Sequence, residues 1–159
     1  MTVIEEFIEK YNYQKQNKIV LIDGSRISIH ITEVSDATRT AEPTRIKLYL
    51  DKVYQTTFAM YPKNMWNHLI SFLSPKKNSF IPQAVKRQFD IKGDEKICEM
   101  LVVSKIFVES ILDEQIYILT KHKKVSEIIL TPAHGINNVE HLEKLITILK
   151  QIEYSFKHY

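Results

Sequence analysis

The side chains that could do chemistry in this chain are few, and their spacing excludes more than it suggests. Six histidines stand at His30, His68, His122, His134, His141 and His158, with one cysteine, Cys98. Structural zinc sites use close pairs of Cys or His backed by a second pair. Here His134 and His141 are seven residues apart across a loop-to-helix join, with no second pair, so no metal is expected. The three glycines, Gly24, Gly93 and Gly135, are too dispersed for a loop that cradles phosphate on backbone N–H groups. Asp23-Gly24-Ser25 reads as a turn rather than a nucleophile elbow. Cys98 lies in an apolar run, the usual setting of a buried thiol. No cofactor is expected.

One segment invites a catalytic reading. His30-Ile31-Thr32 resembles one half of the paired His-x-Thr motif of two-histidine phosphodiesterases. That chemistry needs a second His-x-Thr to supply the other acid or base. His122 is followed by Lys123-Lys124, and His134 by Gly135-Ile136. The resemblance implies a small phosphodiesterase that fails in His30→Ala. Without the second motif, His30 reads as a solvent-facing strand histidine and the chain as a non-enzyme.

The stronger signal is basic and aromatic residues on one strand face. Arg45, Lys47 and Tyr49 alternate with Ile46, Leu48 and Leu50, so a strand would hold the first three outward. Arg26, Tyr54, Lys121, Lys123 and Lys124 would join them from other strands. Net charge is only +3, but it is unevenly placed. Residues 1–75 carry nine Lys/Arg against eight Asp/Glu, and residues 93–159 eight against ten. Residues 76–92 carry five (Lys76, Lys77, Lys86, Arg87 and Lys92) against Asp90 alone. Cations for phosphates and flat rings for bases are the combination that binds single-stranded nucleic acid. The candidate binding residues are Arg45, Lys47, Tyr49, Lys76, Lys77, Lys86, Arg87, Lys121, Lys123 and Lys124. Tyr49 would stack, and the cations would neutralise phosphates. Trp66, the one tryptophan, sits beside Met65 and Leu69 and reads as packing.

These residues need elements to hold them. Val3, Ile4, Phe7, Ile8 and Tyr11 recur at helical spacing opposite Glu5, Glu6 and Glu9, which predicts a first helix over 2–13. Thr2 and Glu5 would form its capping box. Its alternative role is a docking helix. Residues 18–22 and 26–32 read as a hairpin about Asp23-Gly24, a strong two-residue turn. A polar loop at 33–44 leads to a strand at 45–50, and Asp51-Lys52 is expected to turn it into a strand at 54–60. Tyr61-Pro62 would start a helix carried by Met65, Leu69, Ile70, Phe72 and Leu73. After a loop at 76–82, a short helix at 83–89 and a turn about Gly93 are expected. The Val, Ile and Phe content of 97–111 favours strands over a helix. A hairpin of 116–121 and 125–130 with a basic tip follows, then a loop at 131–135. Asn137 or Asn138 would cap a long helix bearing Val139, Leu142, Leu145, Ile146, Leu149 and Ile152.

The expected class is α+β: an antiparallel sheet with amphipathic helices on one face, built as two ββββα units after an N-terminal helix. The 159 residues and 44% hydrophobic content fit a single domain with a real core. Its halves would be 18–74 and 96–152, joined by the basic connector 75–95. Asn64, His68 and Leu69 recur as Asn137, His141 and Leu142. In element order, 18–152 resembles the Whirly and PUR-alpha type of single-stranded nucleic-acid binders, and secondly a saddle of the TATA-binding-protein type. Each resemblance implies a nucleic-acid partner.

The first residues show no signal-peptide pattern, and no run approaches the ~18 apolar residues of a membrane span. An intracellular protein is expected, cytoplasmic or nucleoid-associated, with no membrane partner and compatible with a homo-oligomer. The rival reading is a protein-interaction module, such as a mobile-element inhibitor or accessory subunit.

Overall fold

The computed structural model describes residues 1–32, 44–63, 80–120 and 124–159. Within them the helices are α1 (Val3–Tyr11), α2 (Gln83–Gln88), α3 (Glu95–Val103), α4 (Lys105–Ile111) and α5 (Val139–Lys157). The strands are β1 (Gln14–Gln16), β2 (Ile19–Ile22), β3 (Ser25–His30), β4 (Arg45–Tyr54), β5 (Phe58–Pro62), β6 (Phe89–Gly93), β7 (Ile116–Thr120) and β8 (Val125–Pro132). All eight strands join one antiparallel sheet in the order β1-β2-β3-β4-β8-β7-β5-β6. The fold is α+β.

Local chemistry sets the boundaries. Glu5 N–H donates to Thr2 Oγ1 (3.2 Å), and Thr2 N–H donates to the Glu5 carboxylate (2.8 Å). This capping box starts α1 and holds the Glu5 carboxyl below its ordinary pKa, chiefly through the Thr2 backbone bond. Asn12, in the left-handed region at φ 52°, ends the helix. Asp23 and Gly24 both have positive φ, 48° and 81°, as a two-residue turn between twisted strands requires. Asn138 caps α5 by accepting from His141 N–H at 2.8 Å.

The core lies between one sheet face and the helices. Val20, Ile27, Leu48 and Ile128 form one buried cross-strand row, and Ile46, Leu130, Ile118 and Met60 the next. Helix α5 lies over them with Leu142, Leu145, Leu149, Ile152 and Phe156 inward, and α1, α3 and α4 pack against α5. Phe7 of α1 is buried, while Lys10 and Tyr11 both donate to Glu143 of α5 at 2.7 Å. Helix α1 is thus core cover. Thr120 closes a gap in the ladder: its hydroxyl accepts from Phe58 N–H (2.9 Å) and donates to Phe58 C=O (3.1 Å).

One charge is buried in this layer. Glu153 is 5% exposed. It accepts from Ser25 Oγ at 2.7 Å and lies 3.4 Å from Lys150 Nζ and 3.8 Å from Lys157 Nζ. Lys150 also donates to Ser25 Oγ at 2.6 Å. The cluster fastens the β2–β3 turn to α5.

Several expectations need correction. Residues Glu95–Val103 and Lys105–Ile111 are helical, so the second half holds two strands before its long helix and not four. Its buried residues, Ile97, Cys98, Leu101 and Val102, then Phe107 and Ile111, have helical spacing. Asp94 and Ser104 each cap a helix by accepting backbone N–H bonds. The caps and the period outweigh the β-propensity of Val and Ile. Strand β4 runs through Asp51-Lys52, with a register shift between Tyr49 and Tyr54, and the bend falls at 55–57. Tyr61 and Pro62 end β5 and do not start a helix. The helix expected on Met65, Trp66 and Leu69, and the loop at 33–43, lie outside the described residues. Thr131 and Pro132 continue β8, and β1 is an additional polar edge strand. The turn expected about Gly93 is instead the end of strand β6, while the short helix expected at 83–89 is found as α2.

Gly93 shows why β6 sits where it does. Its φ is +132°, and an added Cβ would lie 2.2 Å from Thr57 O and 2.9 Å from Phe58 Cα. Gly93→Ala is therefore expected to lower stability by about 2–4 kcal/mol in urea unfolding. At Gly24 an added Cβ meets nothing within 4 Å. Gly24→Ala should lose only about 1–2 kcal/mol, from its backbone conformation. Equal losses would contradict the close approach of β5 to β6.

Candidate nucleic-acid interface

A strand of period two that buries one face must turn its other residues away from the core. The register fixes what that second face carries. One row crosses the whole sheet: Gln16, Ile19, Ser28, Lys47, Ile129, Leu119, Ala59 and Lys92. On one side of it lie Leu21, Arg26, Tyr49 and Glu127 in register. On the other lie His30 opposite Arg45, Tyr117 opposite Thr131, and Tyr61 opposite Asp90. Among the described helices, α1, α3 and α4 gather with α5 on the core side.

The face has a pattern. At one flank the Arg26 guanidinium lies 6.0 Å from the Tyr49 ring centre. At the other, Lys92 Nζ lies 5.5 Å from the Tyr61 ring centre. These are cation–π distances, and the bond to the Tyr61 side chain pushes the Lys92 pKa up. Between the flanks are Ile129, Leu119 and Tyr117, the last two 52% and 49% exposed. Leu21 adds a side chain 45% exposed. Among the described strand residues the acids on the face are Glu127 and Asp90, and Asp90 lies 3.9 Å from Lys63 Nζ.

At the β3 end the face runs into a concavity of about 390 Å³. Strand β2 begins only at Ile19, opposite Ser28, while β3 continues through Ile29 and His30 beside β4. The step leaves a notch beside the β1–β2 turn. Ile4, Val20 and Ile29 line its apolar part. Lys15, Lys18, Arg45, Lys47 and His30 line the rest, with Tyr49. No described carboxylate lines it. The charge of Lys15 acts on Glu5 of α1.

The expected site residues divide accordingly. Arg45, Lys47 and Tyr49 share one face of β4 and all reach the notch. Tyr54 does not join them. Because β4 continues, Tyr54 falls on the same side as Leu48 and Leu50, packs edge-on to Phe156 at 5.5 Å and donates to Asp51 at 2.8 Å. Burial and that bond push its hydroxyl up to about 12. Lys86 and Arg87 lie on α2, which leads into β6 at the far edge, four strand steps or roughly 19 Å from β4. Lys124 is exposed at the start of β8. Lys76, Lys77, Lys121 and Lys123 lie outside the described residues.

Sequence reading missed Lys15, Lys18, Lys92, Tyr61 and Tyr117. Alternation could have placed Tyr117 outward opposite the inward Ile116 and Ile118. Lys92 and Tyr61 became visible only with β5 paired to β6.

Other reactive groups are engaged elsewhere. His134 lies 3.0 Å from Gln115 Oε1, His141 2.9 Å from Glu114 Oε2, and His158 Nδ1 2.8 Å from Tyr154 O. His68 and His122 lie outside the described residues. Ser25 meets Lys150 and Glu153 but is only 4% exposed, closed to substrate. Among the described residues no group of three His, Cys, Asp or Glu could hold a metal ion, and no helix is long and apolar enough to cross a membrane.

Cys98 is buried, and that burial pushes its thiol up to about 11. The protonated thiol is a poor nucleophile, so iodoacetamide labelling in mildly alkaline buffer should proceed only as fast as the protein unfolds. Rapid stoichiometric labelling of the native chain would show that the thiol is accessible.

Compared with known proteins, the chain matches no family model, no curated protein and no solved structure.

Proposed function

We propose that this protein binds single-stranded nucleic acid across the second face of its sheet. The observation that carries this reading is the order of side chains along the face. A cation–aromatic pair stands at each flank, Arg26–Tyr49 and Lys92–Tyr61, with Leu119, Ile129 and Tyr117 between them. Cations meet phosphates, and exposed rings and apolar side chains meet unstacked bases. A duplex keeps its bases stacked inside and offers a flat sheet only phosphates, so the apolar middle favours a single strand. Lys47 and Arg45 extend the cationic flank, and Tyr49 and Tyr117 are the stacking residues.

A second reading, a protein-interaction module, draws on a different place. Val103 and Ile106 are 76% and 56% exposed at the joint between α3 and α4, an apolar pair on the helical side. Purification from the native host separates the two readings: nucleic-acid absorbance in one case, a stoichiometric protein in the other.

The direct test is fluorescence anisotropy with labelled single-stranded and duplex oligonucleotides, at low and near-physiological salt. Salt-sensitive binding that prefers the single strand is expected. Replacing Arg26 and Lys47 together by Ala removes two phosphate contacts and should flatten the slope of log K against log salt by about 1.4. Tyr117→Ala should cost about 1–3 kcal/mol with little change in slope, because stacking is not ionic. No binding at low salt would reject the reading.

A further inference from the structure

Resting on that reading, we infer that the notch at the end of β2 is a terminal-phosphate site: it takes the end of the bound strand, with its phosphomonoester, while the sheet face takes the bases. Three features point to an end and not to a passing chain. First, the notch is a step. Strand β2 begins only at Ile19 while β3 runs on to His30, and Ile4 of α1 lines the concavity on the core side. A path that holds the middle of a chain must be open in both directions, whereas a step with a floor holds an end.

Second, the cations converge. Lys15 and Lys18 of the β1–β2 hairpin and Lys47 and Arg45 of β4 all line the concavity; Lys15, paired with Val20, belongs to the core-side face and Lys47 and Arg45 to the other, so charges from both faces of the sheet border one volume. An internal phosphodiester carries one negative charge. A terminal phosphate carries nearly two at neutral pH and offers three acceptor oxygens. A converging set discriminates between these two, while cations strung along a flat face do not.

Third, the size and lining suit a nucleotide. About 390 Å³ falls in the range of small-ligand pockets, roughly 300–1,000 Å³. Ile29 and Val20 give an apolar floor, and Tyr49 connects the notch to the face, so the terminal base would leave it toward the stacking surface.

The experiment uses the full chain and three labelled oligothymidylates of equal length, with a 5′-phosphate, a 3′-phosphate or hydroxyl at both ends. One phosphorylated end should bind about tenfold more tightly than the hydroxyl oligonucleotide, the worth of about one charge-assisted hydrogen bond. Lys15→Ala with Lys18→Ala, both on exposed positions, should abolish that preference, so that all three oligonucleotides bind the variant with one common affinity. Equal affinity for all three in the wild type overturns the inference and leaves the sheet-face reading standing. Thymidine 5′- and 3′-monophosphate are titrated in parallel by calorimetry, with thymidine as control. If no oligonucleotide binds but a monophosphate does, in a Lys15- and Lys18-dependent way, the sheet-face reading fails and the notch remains a phosphate site. If neither binds, both fail.

Discussion

The helical layer of the described fold lies on one face of an eight-stranded antiparallel sheet, and nearly everything else follows from that one-sidedness. Burying one face fixes the register of every strand, because a slip of one residue would send Ile27, Leu48 and Ile128 into water and bring Arg26, Tyr49 and Glu127 into the core. The second face is therefore not a remainder. It is determined as strictly as the core, since each outward residue is locked by two inward neighbours. Antiparallel sheets tolerate such a wet face. That face also carries apolar side chains: Leu21, Tyr117 and Leu119 are each about half exposed, the last two between the cation–aromatic pairs.

The two parts of the chain are committed to each other by the β4–β8 pairing at the centre of the sheet. With β7 and β8 inserted between β4 and β5, neither part can form its sheet alone. The buried Glu153 belongs to the same logic. A carboxylate at 5% exposure is costly to hold; Lys150 and Lys157 of the same helix offset part of that cost, and the Ser25 hydroxyl adds its bond only when the β2–β3 turn lies against α5. The cluster fixes where the N-terminal hairpin lands on the last helix, and so where the cations of β1 and β3 come to rest.

The sequence was legible where the signal was local and strong. The Thr2–Glu5 capping box, the Asp23-Gly24 turn and the periodicity of 139–152 each state one local structure, and Arg45, Lys47 and Tyr49 on one face follow from simple alternation. It misled where two local signals competed. Val102, Val103, Ile106 and Phe107 suggested strands, yet Asp94 and Ser104 cap helices and the buried positions recur every three to four residues. Gly93 was read as a turn because glycine usually marks one, whereas here it lets β5 approach β6. The notch was not legible at all. It depends on β2 ending two residues before β3, and on β4 being the neighbour of β3, which is a matter of pairing and not of any single segment.

The two flanks of the face are separate electrostatic sites. From β3 to β6 there are five strand steps, roughly 24 Å, and charges are screened over about 8 Å at physiological salt. Arg26 and Lys92 therefore do not reinforce each other's field, and a net charge of +3 is too small for the molecule to act as a diffuse polycation. A short ligand gains from one flank only. On the proposed reading, a strand long enough to reach both would gain from the second at an effective concentration set by the first contact, and its intervening bases would lie on the apolar middle. The apolar stretch of Ile129, Leu119 and Tyr117 lies on β8 and β7, between the cations of β3 and β4 and Lys92 of β6.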